Sequence, residues 1–219
     1  MIPSSRSLIR PLAWCNVALH IVALALTWFF IRPGMSALDV SSRQAYVVGH
    51  FWEWAIAWGT WMACAIVQVV FYAELARYLT KARDAASFAV SIACAGLAID
   101  LLCDTIWIVI VPQLPSWHAD TTVVYQVVEA IAKGGGLVVA NGLYSLAVLI
   151  LTLCLRQQSA SRITILLGYG VFVFGMVLSL AGLVNSQWLA EFSTGPTILC
   201  YCAWALLAAR HVANASAAP

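Results

Sequence analysis

Six apolar stretches, at 11–31, 50–76, 88–111, 123–155, 163–184 and 196–212, recur along a chain of 219 residues. Each is long enough to cross a bilayer as helix, which takes about 20 residues. Lipid offers the backbone no hydrogen-bond partners, so such stretches satisfy their own N–H and C=O groups by forming helices. The breaks between them carry turn and loop residues, as in "RPGMSALDVSSR", "VPQLPSWHADTT" and "NSQWLAEFSTGP". Only 9% of the residues are charged, against about 25% in a soluble domain, too few to cover a water-facing surface. The sequence therefore predicts an all-α polytopic integral membrane protein, with residues 1–219 forming one bundle of six transmembrane helices.

Basic residues orient the bundle. The amino tail, second loop, fourth loop and carboxyl tail hold Arg6, Arg10, Arg77, Lys81, Arg83, Arg156, Arg162 and Arg210, whereas the opposite side holds Arg32 and Arg43. This asymmetry predicts both termini in the cytoplasm and a multi-pass protein of the plasma (inner) membrane. Trp28, Trp52, Trp54, Trp107, Trp117 and Trp188 then fall near the outer interface, where an aromatic belt belongs. Arg6 and Arg10 precede an apolar run as in a signal peptide, with Ala23-Leu24-Ala25 resembling a cleavage site. The run continues through "LTWFFI", and a retained helix is expected. The tail "VANASAAP" reads as disordered, and its Asn214-Ala215-Ser216 sequon carries no weight on a cytoplasmic tail.

Composition also removes several functions. No basic stripe points to nucleic acid. The seven cysteines all lie in apolar stretches without a CxxC pair, so neither a zinc site nor a thiol oxidoreductase is indicated. No metal site or cofactor is predicted. G-x-S-x-G, H-E-x-x-H and aspartate-rich prenyltransferase loops are absent from the sequence.

What demands explanation is "AIDLLCDTIW", residues 99–108, where Asp100 and Asp104 stand one turn apart in an apolar stretch. Each aspartate costs about 2.5 to 3.5 kcal/mol at the centre of a membrane helix. Counting about 1.5 Å per residue puts Asp100 about 18 Å from the cytoplasmic end, in the outer half of the hydrocarbon. The same count puts His50, Glu53, Glu129 and Lys133 near the outer boundary and His20 near mid-membrane. Small and polar residues repeat at helical spacing in two stripes. One is His50, Glu53, Ala57, Thr60, Cys64 and Gln68; the other is Ala89, Ala93, Gly96, Asp100, Cys103 and Trp107. Lys133 precedes "GGG" at 134–136, which is expected to bend an overlong fourth stretch. At the cytoplasmic end, Glu74 and Arg77 form a favourable helical pair.

The outer cluster comprises Glu53, Asp100, Asp104 and Glu129 against Lys133, expected to pair with Asp104 or Glu129, with His20 and His50 able to titrate. One lysine cannot neutralise four acids, so the surplus is protonated, solvated by a water-filled cavity, or offset by a cation or cationic ligand, and each option implies a cavity open to the outside. The leading expectation is an outward-facing acidic pocket that binds or transports a small solute or cation, its partners being the bilayer and that ligand. Asp100 is the deep anchor, and Trp54 and Trp107 are candidate wall residues. The alternatives are a membrane-embedded acid/base enzyme of isomerase or cyclase type acting on a lipid-soluble substrate, or a structural protein with a polar network and no ligand. Haem fits poorly, since His50 lies well shallower than His20.

Overall fold

The computed structural model describes residues 8–36, 39–117 and 121–215. Six helices are long and apolar enough to cross a membrane: α1 (Ile9–Met35), α3 (Phe51–Tyr78), α4 (Thr80–Ser116), α5 (Thr121–Gln157), α6 (Arg162–Leu183) and α7 (Gln187–Ala215). A shorter helix, α2 (Val40–Gly49), joins α1 to α3. Among the described residues there is no strand. The outer surface of the bundle carries exposed apolar side chains such as Val70, Phe88, Leu102, Ile131, Leu166 and Leu199. Such a surface suits an integral membrane protein.

The long helices pack in chain order as a ring, each against its neighbours, and α1 closes the ring against α7. Two buried clusters follow from this up-and-down path. One gathers Ile9, Leu75, Leu79, Ala86, Leu155, Ala209 and Val212 at the end carrying both chain termini. The other gathers Ile31, Val47, Trp54, Trp107, Leu114 and Tyr125 at the opposite end. Small residues set the closest approach. At α5 and α6, a Cβ added to Gly168 would lie 2.7 Å from Thr152 Cγ2 and 2.9 Å from its Cβ. Only glycine lets these two backbones come so near.

Local chemistry explains the helix ends. Asp39 caps α2, accepting from Ser41 Oγ at 2.6 Å and from Ser42 N and Oγ at 2.8 Å each. The Ser41 hydroxyl and the Ser42 donors hold its carboxyl down at about 2. At the termini end, Arg77 Nη1 meets Glu74 Oε2 at 3.0 Å, the pair that the spacing predicts.

Several boundaries differ from the sequence expectation. The last helix starts at Gln187 rather than 196 and runs through Pro196. Thr194 and Thr197 hydroxyls donate to the carbonyls of Ala190 and Ser193 on the turn before, at 2.7 and 2.8 Å. The glycines at 134–136 do not interrupt α5. The chain continues as a π-helical segment, Gly134–Ala140, into Asn141–Gln157, so its backbone groups stay bonded. The tail read as disordered is helical through Ala215. Residues 216–219, including Ser216 of the sequon, lie outside the described residues, as does Arg6.

Candidate functional site

The ring encloses a cavity of about 770 Å³ that reaches from mid-bundle toward the end opposite the termini. Every long helix contributes to its wall. Asp100, Cys103, Asp104 and Trp107 come from α4, which faces α7 across the ring. His20 comes from α1, Trp58, Trp61, Gln68 and Tyr72 from α3, and Asn141 and Tyr144 from α5; Leu178 comes from α6 and Tyr201 from α7. Toward the termini the cavity gives way to the apolar cluster that contains Phe71, Leu75, Leu151 and Trp204.

The two aspartates differ in their surroundings. Asp100 is half-buried and its Oδ2 accepts from Tyr144 Oη at 3.2 Å. Asp104, one turn on, is only 3% exposed, and its Oδ2 has no hydrogen-bond partner. No basic side chain lies within ion-pair distance of either one among the described residues. The α4 stripe of Ala89, Ala93, Gly96, Cys103 and Trp107 is buried, as its spacing requires. It meets α5 at Gly135, where an added Cβ would overlap Cys103 Sγ.

Aromatic rings build the adjoining wall. Trp58 and Trp107 stack with centroids 5.2 Å apart, and Trp54 meets both edge-on. Trp54 Nε1 donates to the Trp107 carbonyl at 2.7 Å, inside the π-helical segment Ile106–Ile110. Trp61 Nε1 donates to Thr27 Oγ1 at 2.7 Å, at the start of another π-helical segment, Thr27–Ile31. Trp58 Nε1 is buried without a partner. The π segments of α1, α4 and α5 all border this one cavity, through Thr27, Trp107 and Gly136 among others. Such segments break the regular register of a helix and recur at functional sites.

The remaining candidates divide. His20 is buried on the cavity wall, its Nδ1 donating to the Asn16 carbonyl at 2.8 Å and its ring 4.9 Å from that of Tyr201. Beneath it, Asn16 Nδ2 donates to Tyr201 Oη. Lys133 also borders the cavity, but its charge belongs to Glu129, at 3.0 Å; it does not pair with Asp104. Glu129 takes a second cation, Arg43 from α2, at 2.5 Å, and Arg43 rests 5.3 Å over the Tyr125 ring. The outer-cluster count of one base is therefore corrected: Arg43 folds back from the loop and, with Lys133, neutralises Glu129. His50 and Glu53 stay outside. His50 is exposed and stacked on Tyr46 at 4.4 Å, and Glu53 is exposed on the first turn of α3. Trp54 occupies the inward position beside Glu53, so the α3 stripe turns inward only from Ala57. Of the six belt tryptophans, Trp28, Trp52, Trp117 and Trp188 are exposed, while Trp54 and Trp107 are core.

Sequence reasoning passed over Asn141, Tyr144 and Tyr201 as site residues. A signal existed: Gly136, Asn141, Tyr144, Ser145 and Val148 keep to one face of α5, and Thr194, Thr197, Ile198 and Tyr201 do the same on α7. Among the described residues, no group of three or more His, Cys, Asp and Glu side chains is placed to hold a metal ion. Comparison with protein-family models, with curated proteins and with solved structures found no match.

Proposed function

We propose that this chain binds a small cationic solute inside the bundle, with Asp104 as its anchor and Asp100 beside it. The observation that carries this reading is the Asp104 carboxylate, which lines a cavity with one oxygen unpartnered and no basic side chain in reach. A buried carboxylate in that state is unfavourable unless a cation, water or a proton meets it. The other charges bordering the cavity are already paired, Lys133 with Glu129 and Arg32 with Glu191 at 3.1 Å. Asp100 and Asp104 therefore face the cavity with no basic side chain of the described residues paired to them. The cavity stops at the apolar cluster near the termini, so transport would add a second conformation in which that cluster parts.

Purified protein, screened by thermal unfolding against inorganic and organic monocations, tests this. A ligand at one hundred times its Kd stabilises by about 2.7 kcal/mol. For a chain of this size that raises Tm by roughly 5 to 10 °C. The rise should vanish in Asp104→Asn, which keeps shape and removes charge. Equal rises in wild type and Asp104→Asn would sink the reading. The basic asymmetry further puts both termini in the cytoplasm under this proposal, and a carboxyl-terminal reporter active only outside would contradict it.

A further inference from the structure

We propose that the ligand of this cavity is a lipophilic organic cation, with one positive centre carried on a bulky apolar body, and that it enters sideways between α1 and α7 rather than along the bundle axis. This rests on the cationic-solute reading above and narrows it to one class of ligand.

The wall chemistry selects that class. Beyond Asp100 and Asp104, the cavity is lined mainly by Trp58, Trp61, Trp107, Tyr72, Tyr201 and aliphatic side chains. A hard inorganic ion wants six or more oxygens, and among the described residues no three His, Cys, Asp and Glu side chains are placed to hold one. Aromatic faces instead attract a diffuse organic cation and shield its apolar body. The stacked Trp58–Trp107 pair, pinned by the Trp54 bond to the Trp107 carbonyl, is a pre-set surface of that kind. A volume of about 770 Å³ accommodates a body far larger than a simple ammonium.

The route follows from how α1 and α7 are joined. They are tied near the termini by Asn16 to Tyr201 and at the far end by Arg32 to Glu191, with Arg32 also 4.5 Å over the Trp28 ring. Between these ties the cavity reaches the surface. Its lining there includes Ile21, Ala25 and Trp28 of α1, all exposed, and Thr194 and Gly195 of α7. A Cβ built on Gly195 meets no atom within 4 Å, so that position faces open space in the slot. The slot looks out from the apolar flank of the bundle, where a lipophilic solute would be concentrated. The aspartates lie across the ring from it, on α4.

The test uses the full chain in nanodiscs of neutral phosphatidylcholine, with empty discs subtracted. Equilibrium dialysis measures two probes, tetraphenylphosphonium and tetramethylammonium, on wild type, Asp104→Asn and Gly195→Trp. The expected result is tetraphenylphosphonium binding that requires Asp104 and is at least about tenfold tighter than that of tetramethylammonium. Gly195→Trp should weaken tetraphenylphosphonium by about tenfold or more and change tetramethylammonium less than about twofold. Should the tryptophan variant fail to elute as a single species, Gly195→Leu takes its place at the same open position. Asp104-dependent binding of tetramethylammonium, as tight as or tighter than that of the bulky probe, overturns the lipophilic assignment and leaves the cation pocket standing. Tetraphenylphosphonium binding untouched by filling Gly195 overturns the sideways route. Absence of any Asp104-dependent binding overturns the inference and the proposed function together.

Discussion

Replacing Asp104 by leucine should make the ligand-free protein more stable. Leucine branches as aspartate does, so the change exchanges two carboxylate oxygens for two methyls in the same place. Asp104 is 3% exposed and its Oδ2 is unpartnered, so few native bonds are lost. Leaving a buried polar group unsatisfied costs about 1 to 3 kcal/mol, and the substitution removes that cost. At 2 to 4 °C per kcal/mol for a chain of this length, the apparent Tm should rise by roughly 2 to 12 °C. Asp100→Leu is the internal contrast. It orphans the Tyr144 hydroxyl, which donates to Asp100 at 3.2 Å, and should give no such gain. Thermal unfolding in detergent, followed by loss of the monodisperse peak, reads both variants. A fall in Tm for Asp104→Leu would mean that Asp104 ties helices together, and the reasoning from an unpartnered carboxylate would fail.

Three further outcomes follow from the packing and the charges. Gly168→Ala makes the new Cβ overlap Thr152 Oγ1 and stand 2.7 Å from Cγ2 and 2.9 Å from Cβ, so the whole Thr152 side chain and its helix must shift. Overpacking of this kind costs about 1 to 3 kcal/mol, offset by up to about 1 kcal/mol of helix propensity, and a Tm at or above wild type would contradict it. Lys133→Met should cost less than about 1 kcal/mol because Arg43 still meets Glu129, whereas Arg43→Met with Lys133→Met should cost about 3 to 5 kcal/mol; additive small effects in denaturant unfolding would show that the two cations do not share the acid. Asp39 is lowered in the folded state from 3.8 to about 2, so its stabilising effect is full above pH 4 and is lost as pH falls through about 2. The Tm gap between wild type and Asp39→Ala should close over that interval, and a gap constant from pH 6 to pH 2 would refute the cap's charge dependence.

The helices were legible because their lengths and apolar character answer to one constraint, the backbone's need for internal partners in lipid. The α4 stripe was legible for a related reason. Ala89, Ala93 and Gly96 are small at helical spacing, and only a packed face uses that pattern. The upper α3 stripe misled because Glu53 and Trp54 are adjacent on the helix, and burial of the larger apolar ring decided which one turned inward. The pairing of Arg43 with Glu129 escaped notice because sequence separation hides an 86-residue ion pair formed by a loop helix folding over α5. The close approach of Gly135 to Cys103 escaped because glycines in a row carry no mark in sequence of which neighbour they admit.

At the centre stands Asp104, a buried carboxyl group with an oxygen that no side chain partners and that an incoming cation meets in competition with a proton. Labelling with dicyclohexylcarbodiimide, a lipophilic reagent for carboxyl groups shielded from bulk water, tests this at the residue itself when adducts are located by peptide mass spectrometry. The account predicts an adduct on Asp104 that tetraphenylphosphonium suppresses, with Glu129 unlabelled behind Arg43 and Lys133. An Asp104 that stays unmodified, or is modified equally with and without the cation, would contradict it.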